Sequence, residues 1–163
     1  MRRAEQSDWR TIRNTRLRAL AESPSAFGST LAREAAFDDV EWQRRVGSGN
    51  WFLAVIGTNA VKDETAIGIV ATVVEDDAPS ERHLVAMWVD PEHRGSSAAT
   101  DLVEAVCASA NADGVSAITL WVADGNHRAL RFYQRVGFHS TGERQPLPSN
   151  VQIGEERMRK DLR

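Results

Sequence analysis

Two junctions in the chain join a strand-like run to the start of a helix-like one, and both carry residues that could do chemistry. The first reads Leu84-Val85-Ala86-Met87-Trp88-Val89-Asp90-Pro91-Glu92-His93-Arg94-Gly95-Ser96-Ser97-Ala98-Ala99. A hydrophobic stretch stops at a proline, and very small residues open an amphipathic segment. A helix N-terminus carries unpaired N–H groups and a partial positive charge, so a phosphate can be held there when the side chains are too small to block it. Residues 95–99 meet that condition, although an ordinary tight strand-to-helix turn would read the same. The second junction has the spacing Asn126-x-x-Ala129-x-x-Phe132-Tyr133-x-x-x-Gly137-Phe138. By spacing alone Tyr133 is a packed aromatic on the stripe Ala129, Phe132, Tyr133 and Val136. Cys107 falls on an apolar stripe and reads as core, not as an acyl-carrying nucleophile. His93, His127 and His139 lack metal-ligand spacing, so no metal is expected.

The elements that must position these junctions follow from hydrophobic period. Ser7 and Asp8 can cap a helix over 9–21 with Trp9, Ile12, Leu17 and Leu20 inward, ended by Ser23-Pro24. A second helical region is expected over 31–46, with a break near Asp38-Asp39, before Gly47 and Gly49 mark a turn. Three β-branched or aromatic runs, 51–56, 66–74 and 83–89, predict an antiparallel meander. Ala99, Leu102, Val103, Val106 and Ala110 then recur at 3, 4, 7 and 11, one apolar stripe along a helix that stops near Asp113-Gly114. A strand over 117–122, a helix through Val136 stopped by Gly137, and one or two strands between Phe138 and Leu162 complete the pattern. The five tryptophans fall in these elements and read as core. The fold class predicted is α/β, with helices on both faces of one central sheet, in a single domain over 1–163.

Composition bounds what such a domain can be. At 163 residues the chain can bury about 70% of its unfolded surface, enough for a self-sufficient core. One cysteine excludes an internal disulfide and points to a reducing compartment, so a cytoplasmic location is expected. No apolar run approaches a membrane span or a signal core, which predicts no membrane association. A net charge of -3 argues against a general nucleic-acid binder. Charge is uneven: between Asp63 and Glu92 eight acidic residues face only Arg82. A solvated hairpin loop explains such a run; a field that attracts a cationic substrate is the sharper expectation.

Together the two junctions resemble the GNAT superfamily of acyl-CoA-dependent N-acyltransferases. The second junction is a close match. The first matches in layout, through Val89-x-Pro91-x-x-Arg94-Gly95, but Ser97 stands where the family's loop has its first glycine. Upstream, Arg16-Leu17-x-Ala19-Leu20 and Ser23-Pro24-x-Ala26-Phe27-Gly28-Ser29 are similar to the family's first helix and helix-helix loop. Only residues 1–6 precede that helix, where the family usually has a full first strand.

The resemblance implies a GNAT-like fold, a mixed and mostly antiparallel sheet of six to seven strands flanked by about four helices. It implies acetyl-CoA as acyl-donor substrate, with the backbone of Met87, Trp88 and Val89 along the pantetheine arm. The pyrophosphate would lie on Arg94, Gly95, Ser96, Ser97, Ala98, Ala99 and Thr100, and Asn126 would bind the cofactor arm or order the site. Tyr133 would act as general acid near the sulfur. His83 begins the fourth strand, where some members carry a catalytic glutamate, which makes it a candidate base; a half-exposed packing histidine is the alternative. The chemistry is direct attack by a neutral primary amine, of a small molecule or a protein, on the thioester, with an oxyanion held by N–H groups and a proton for the departing thiolate. Tyrosine at a pKa of about 10 and a thiol at about 8.5 are matched closely enough for that transfer. Acceptor contacts are expected from the variable segments 23–39, 76–82 and 144–151, and a homodimer is an expectation from the family. The rival readings are an acyl-CoA-binding sensor or structural module without turnover, and a protein-interaction module.

Overall fold

The computed structural model describes residues 1–57 and 64–162. Its seven strands form one sheet in the order β1-β2-β3-β4-β5-β7-β6. These are β1 (Arg2–Arg3), β2 (Asn50–Ile56), β3 (Thr65–Val73), β4 (Glu81–Val89), β5 (Ala117–Ala123), β6 (His139–Leu147) and β7 (Asn150–Asp161). All neighbours are antiparallel except β4 and β5. Five α-helices accompany them: α1 (Trp9–Glu22), α2 (Leu31–Ala35), α3 (Asp39–Ser48), α4 (Ala98–Ala112) and α5 (His127–Arg135). The expected break splits the second helical region in two, because both Thr30 and Asp38 act as N-caps, accepting from the N–H of Arg33 and Glu41. Asp8 does not cap α1 with its side chain. Its carboxylate takes two hydrogen bonds of 2.8 Å from Arg2 and one from the Glu5 N–H, which ties the short β1 to the start of α1.

Strand alternation sends side chains to two cores. Phe52 and Ala54 of β2 pack with Leu102, Val103 and Val106 of α4 on one face, while Trp51 and Leu53 pack with Ile12 and Leu20 of α1 and Trp42 of α3 on the other. The predicted α4 stripe is the buried one, with Leu102 fully enclosed. Replacing such a residue by Ala typically costs about 2–5 kcal/mol, because the cavity only partly collapses.

Two departures from regular pairing shape the sheet's centre. In β4 the register against β3 runs Ile69 to Trp88 and then Ala71 to Val85, so β4 carries one extra residue and bulges at Ala86 and Met87. Ala86 has φ 57°, a left-handed conformation unusual for a residue with a Cβ. The parallel ladder of β4 with β5 covers only Glu81 to His83 against Ala117 to Thr119. Beyond it the strands part, and the facing edges of 84–89 and 120–123 form no ladder with each other. Backbone groups there are left for a ligand or water, since β3 and β7 take only the outer edges.

Candidate active site

The parting of β4 from β5 opens two adjoining cavities. One, of about 400 Å³, lies between the end of β4, the loop into α4, and α5. The other, of about 760 Å³, is lined by β3, β4, β5, the segment from α1 through α3, and β7. Tyr133 and Met87 line both, together with Ala26 and Phe27, so the two spaces meet at the bulge and beneath the tyrosine ring.

The smaller cavity gathers most of the residues singled out in sequence. Met87, Trp88, Val89, Arg94, Gly95, Ser96, Ala99, Thr100, Asn126 and Tyr133 all line it, whereas Ser97 and Ala98 do not. Gly95 carries the loop's reversal at φ +91°, and a Cβ there would meet nothing within 4 Å, so the turn leaves open space in front of α4. Ser97 stands at φ -71°, an ordinary right-handed conformation, and begins α4 as its N-cap. Glycine's freedom is therefore not used at this position. The Ser97 hydroxyl donates to Asp101 Oδ2 at 2.9 Å. Asn126 caps α5, accepting from the Ala129 N–H at 3.2 Å, so its carbonyl oxygen orders the helix that carries Tyr133.

Arg94 turns away from the loop. Its Nε donates to the Val89 carbonyl at 2.9 Å, and its Nη atoms hold Glu22 at 3.1 and 2.5 Å. Trp88 Nε1 donates to the same carboxylate at 3.0 Å. Glu22 is held at a pKa of about 2, chiefly by Arg94. The arginine thus fastens the α4 loop and the end of β4 to the end of α1. Further positive charge at the cavity's lining comes from the exposed Arg128, Arg131 and Arg135 of α5. Their spacing of 3 and 4 marks one helix face, a signal available in the sequence.

Tyr133 is buried, 5.2 Å from the Phe132 ring and 5.5 Å from the Phe138 ring. Burial pushes its phenol well above the ordinary range, so the hydroxyl stays protonated at any physiological pH. The match of free values, about 10 against about 8.5, does not carry over; donation is favoured only because the same burial also disfavours a departing thiolate. The larger cavity holds His83, the first residue of the predicted fourth strand and the third of β4. Its Nδ1 lies 2.9 Å from Thr119 Oγ1 and 3.7 Å from Glu75 Oε1. Burial lowers its pKa, an effect opposed by Glu75 and reinforced by Arg157, which keeps the ring neutral.

Sequence reasoning missed Glu155 in the same cavity. It is 5% exposed, accepts from Gln145 Nε2 at 2.6 Å, and burial raises its pKa. It was hidden because β7 pairs it with Ala123, at the far end of a register no local pattern encodes. Of the expected acceptor segments, 23–39 contributes Ala26, Phe27, Gly28, Ser29, Arg33 and Glu34, and 144–151 contributes Gln145 and Pro148. Segment 76–82 contributes none, because it leads into the end of β4 that is still paired with β5. No described member of the acidic run lines either cavity. Glu64 pairs with Arg2, Glu75 with Arg157, Glu81 with Arg159 and Asp90 with Arg18; Asp63 lies outside the described residues. Among the described residues no cluster of His, Cys, Asp and Glu could hold a metal, and no helix is long and apolar enough to cross a membrane.

The acetyltransferase (GNAT) family profile matches residues 15–138, most of the chain, and the chain belongs to that family. Mycothiol acetyltransferase of Brachybacterium faecium is 28% identical over 143 residues, a match covering 81% of this chain and 43% of that protein. The chain therefore spans less than half the length of this curated relative. Among solved structures, the acetyltransferase of GNAT family from Streptococcus pneumoniae has a TM-score of 0.79 at 18% identity, over 99% of this chain and 98% of that one. An acetyltransferase of GNAT family from Staphylococcus aureus gives 0.71 at 17% identity, over 99% and 98%. A Bacillus anthracis protein in complex with acetyl coenzyme A gives 0.60 at 16% identity, over 71% and 64%. At these identities the structural likeness is one of fold.

Proposed function

We propose that the protein transfers an acetyl group from acetyl-CoA to a primary amine by direct attack in a ternary complex. The observation that carries this reading is the place of Tyr133, at the junction of a cavity opening on a helix N-terminus and a second cavity that holds His83 and Glu155. The residues present fit acetyl-CoA. The open turn at Gly95, the small side chains opening α4 and the arginines of α5 suit its phosphates, and the unpaired edge of 84–89 suits its amide-bearing arm. That substrate supplies an acyl carbon activated as a thioester.

The chain's own groups then have simple duties. N–H groups on the edge of β4 that no ladder pairs, around the bulge at Ala86 and Met87, are the donors available to the oxygen that becomes negative when the amine nitrogen bonds to the acyl carbon. His83, neutral and facing the acceptor cavity, takes the proton that the amine must lose, directly or through water. Tyr133 gives its proton to the sulfur as the carbon–sulfur bond breaks, leaving N-acetylated product and CoA thiol. A cytoplasmic setting suits the free thiol of Cys107, half-buried against the α4 side of the sheet. CoA release from acetyl-CoA, followed across a panel of small amines and lysine peptides, tests the reading: turnover with at least one amine is expected, and acetyl-CoA binding with no turnover would leave a binding module.

A further inference from the structure

The larger cavity has an unbalanced charge at its wall. Arg16 of α1 is 6% exposed and spends Nε and Nη2 on Glu34, at 3.0 and 2.9 Å. Its Nη1 is buried and has no hydrogen-bond partner among the described residues. The Glu34 carboxylate, itself 1% exposed, also feels the charge of Arg45 from α3, whose buried Nε is unpartnered in the same way. Two guanidinium groups therefore share one carboxylate. Aromatic rings cover their faces, Phe27 at 4.6 Å from Arg16 and Phe37 at 5.0 Å from Arg45, so each cation is oriented and its remaining N–H edges are what it can offer. Arg44 adds nothing to the balance, because it pairs with Glu41 at 2.9 and 2.7 Å.

A buried N–H without a partner costs free energy, and a buried uncompensated cation costs more. Both Arg16 and Arg45 line the space that would receive the acceptor. We infer that the acceptor cavity contains an anion subsite, formed by Arg16 and Arg45, and that the acceptor is an amine carrying a carboxylate on the same molecule. One carboxylate supplies two acceptor oxygens for the free edges of Arg16 and Arg45, in a wall where Arg33 is a further cation and Glu155 a further acid. The amine end is served by the groups already described, Glu155 and His83 in the same cavity. This assignment rests on the acetyltransferase reading for the identity of the cavity. It differs from the expectation of a cationic acceptor, whose basis was an acidic run of which Glu75, Glu81 and Asp90 are paired with β7 and α1 arginines.

The test separates the subsite from turnover. The CoA-bound protein is titrated in a calorimeter with a set of N-acetyl amino acids differing in side chain, and with each compound as its primary amide. At least one acid is expected to bind about tenfold or more tightly than its own amide, the range of one charge-assisted hydrogen bond. Arg45→Gln, on the part-exposed α3, should erase that preference with the melting temperature kept. Arg16→Lys should do the same where it folds. Equal binding of acids and amides, no binding by any pair, or a preference that survives Arg45→Gln would overturn the subsite. CoA release is measured in parallel with the matching free amino acids and amino acid amides. Acids that bind preferentially without CoA release leave the subsite standing and remove the transferase reading, whereas amides acetylated as well as acids do the reverse.

Discussion

His83 and Thr119 pair across the last rung of the β4–β5 ladder, and the 2.9 Å contact of Nδ1 with Oγ1 stands where the two strands part. The histidine is thus fixed at the closed end of the cleft, buried and neutral, with its pKa drawn below the ordinary 6.5.

A pH prediction follows from that shift. The base must be neutral to accept a proton, so kcat at saturating acceptor should show no loss from His83 down to 6.5 and fall on its account only as pH drops through the lower folded value. The stability contribution has the same sign: it is present above 6.5 and is lost in acid, when the unfolded chain takes up a proton that the folded one resists. His83→Gln should lower kcat by about 100-fold and remove this acid limb. A variant that retains the limb would place the titration elsewhere.

Breaking the Glu22–Arg94 pair should act on cofactor binding and leave the chemistry alone. The pair is partly exposed, with side chains 35% and 24% accessible, so its worth is that of a screened surface ion pair. Glu22→Gln is expected to weaken acetyl-CoA affinity by about two- to fivefold at low salt and less at high salt. Titration calorimetry at two ionic strengths reads both.

Ser97→Gly should leave acetyl-CoA affinity within about twofold, since the backbone there is right-handed and a glycine cap costs only tenths of a kcal/mol. Ala99→Asp is the contrasting change, placing a carboxylate inside the smaller cavity, and should nearly abolish binding while the protein stays folded. Unchanged affinity in folded Ala99→Asp would move the phosphate site away from α4.

What the sequence made legible was local. The stripe from Ala99 to Ala110 announced α4, small residues announced an open helix start, and the spacing from Asn126 to Gly137 placed Tyr133 on α5. What it hid depends on pairing between distant segments. No residue near Ala86 marks the bulge, which exists only relative to β3. The gap between β4 and β5 is an absence of rungs. The acidic residues Glu75 and Glu81 looked unbalanced because Arg157 and Arg159 lie some eighty positions downstream, and Arg16 with Glu34 are eighteen apart on different helices. Glu155 was unreadable for the same reason.

Glu155 should carry an opposite pH signature. Its folded pKa is raised by burial, so its contribution to stability is full below the unfolded value near 4.5 and is lost as pH rises through the folded one. Glu155→Gln should therefore melt at the same temperature as the natural protein or higher at pH 7, and lower relative to it near pH 4.5. Thermal melts across that range check the crossing. If Glu155 helps to receive the amine, KM for the acceptor should rise in this variant while acetyl-CoA affinity holds.

The most direct measurement is the kinetics of Tyr133→Phe. The ring keeps its contacts with Phe132 and Phe138, so melting temperature and acetyl-CoA affinity should barely change. A general acid contributes typically 100-fold to 10,000-fold, and water can replace part of it, so a fall in kcat of about 100- to 1,000-fold is expected. The rate should also show no loss from tyrosine ionisation up to pH 10, because burial keeps the phenol protonated there. A folded Tyr133→Phe protein with kcat within about twofold of the natural one would contradict the account, leaving Tyr133 as packing alone.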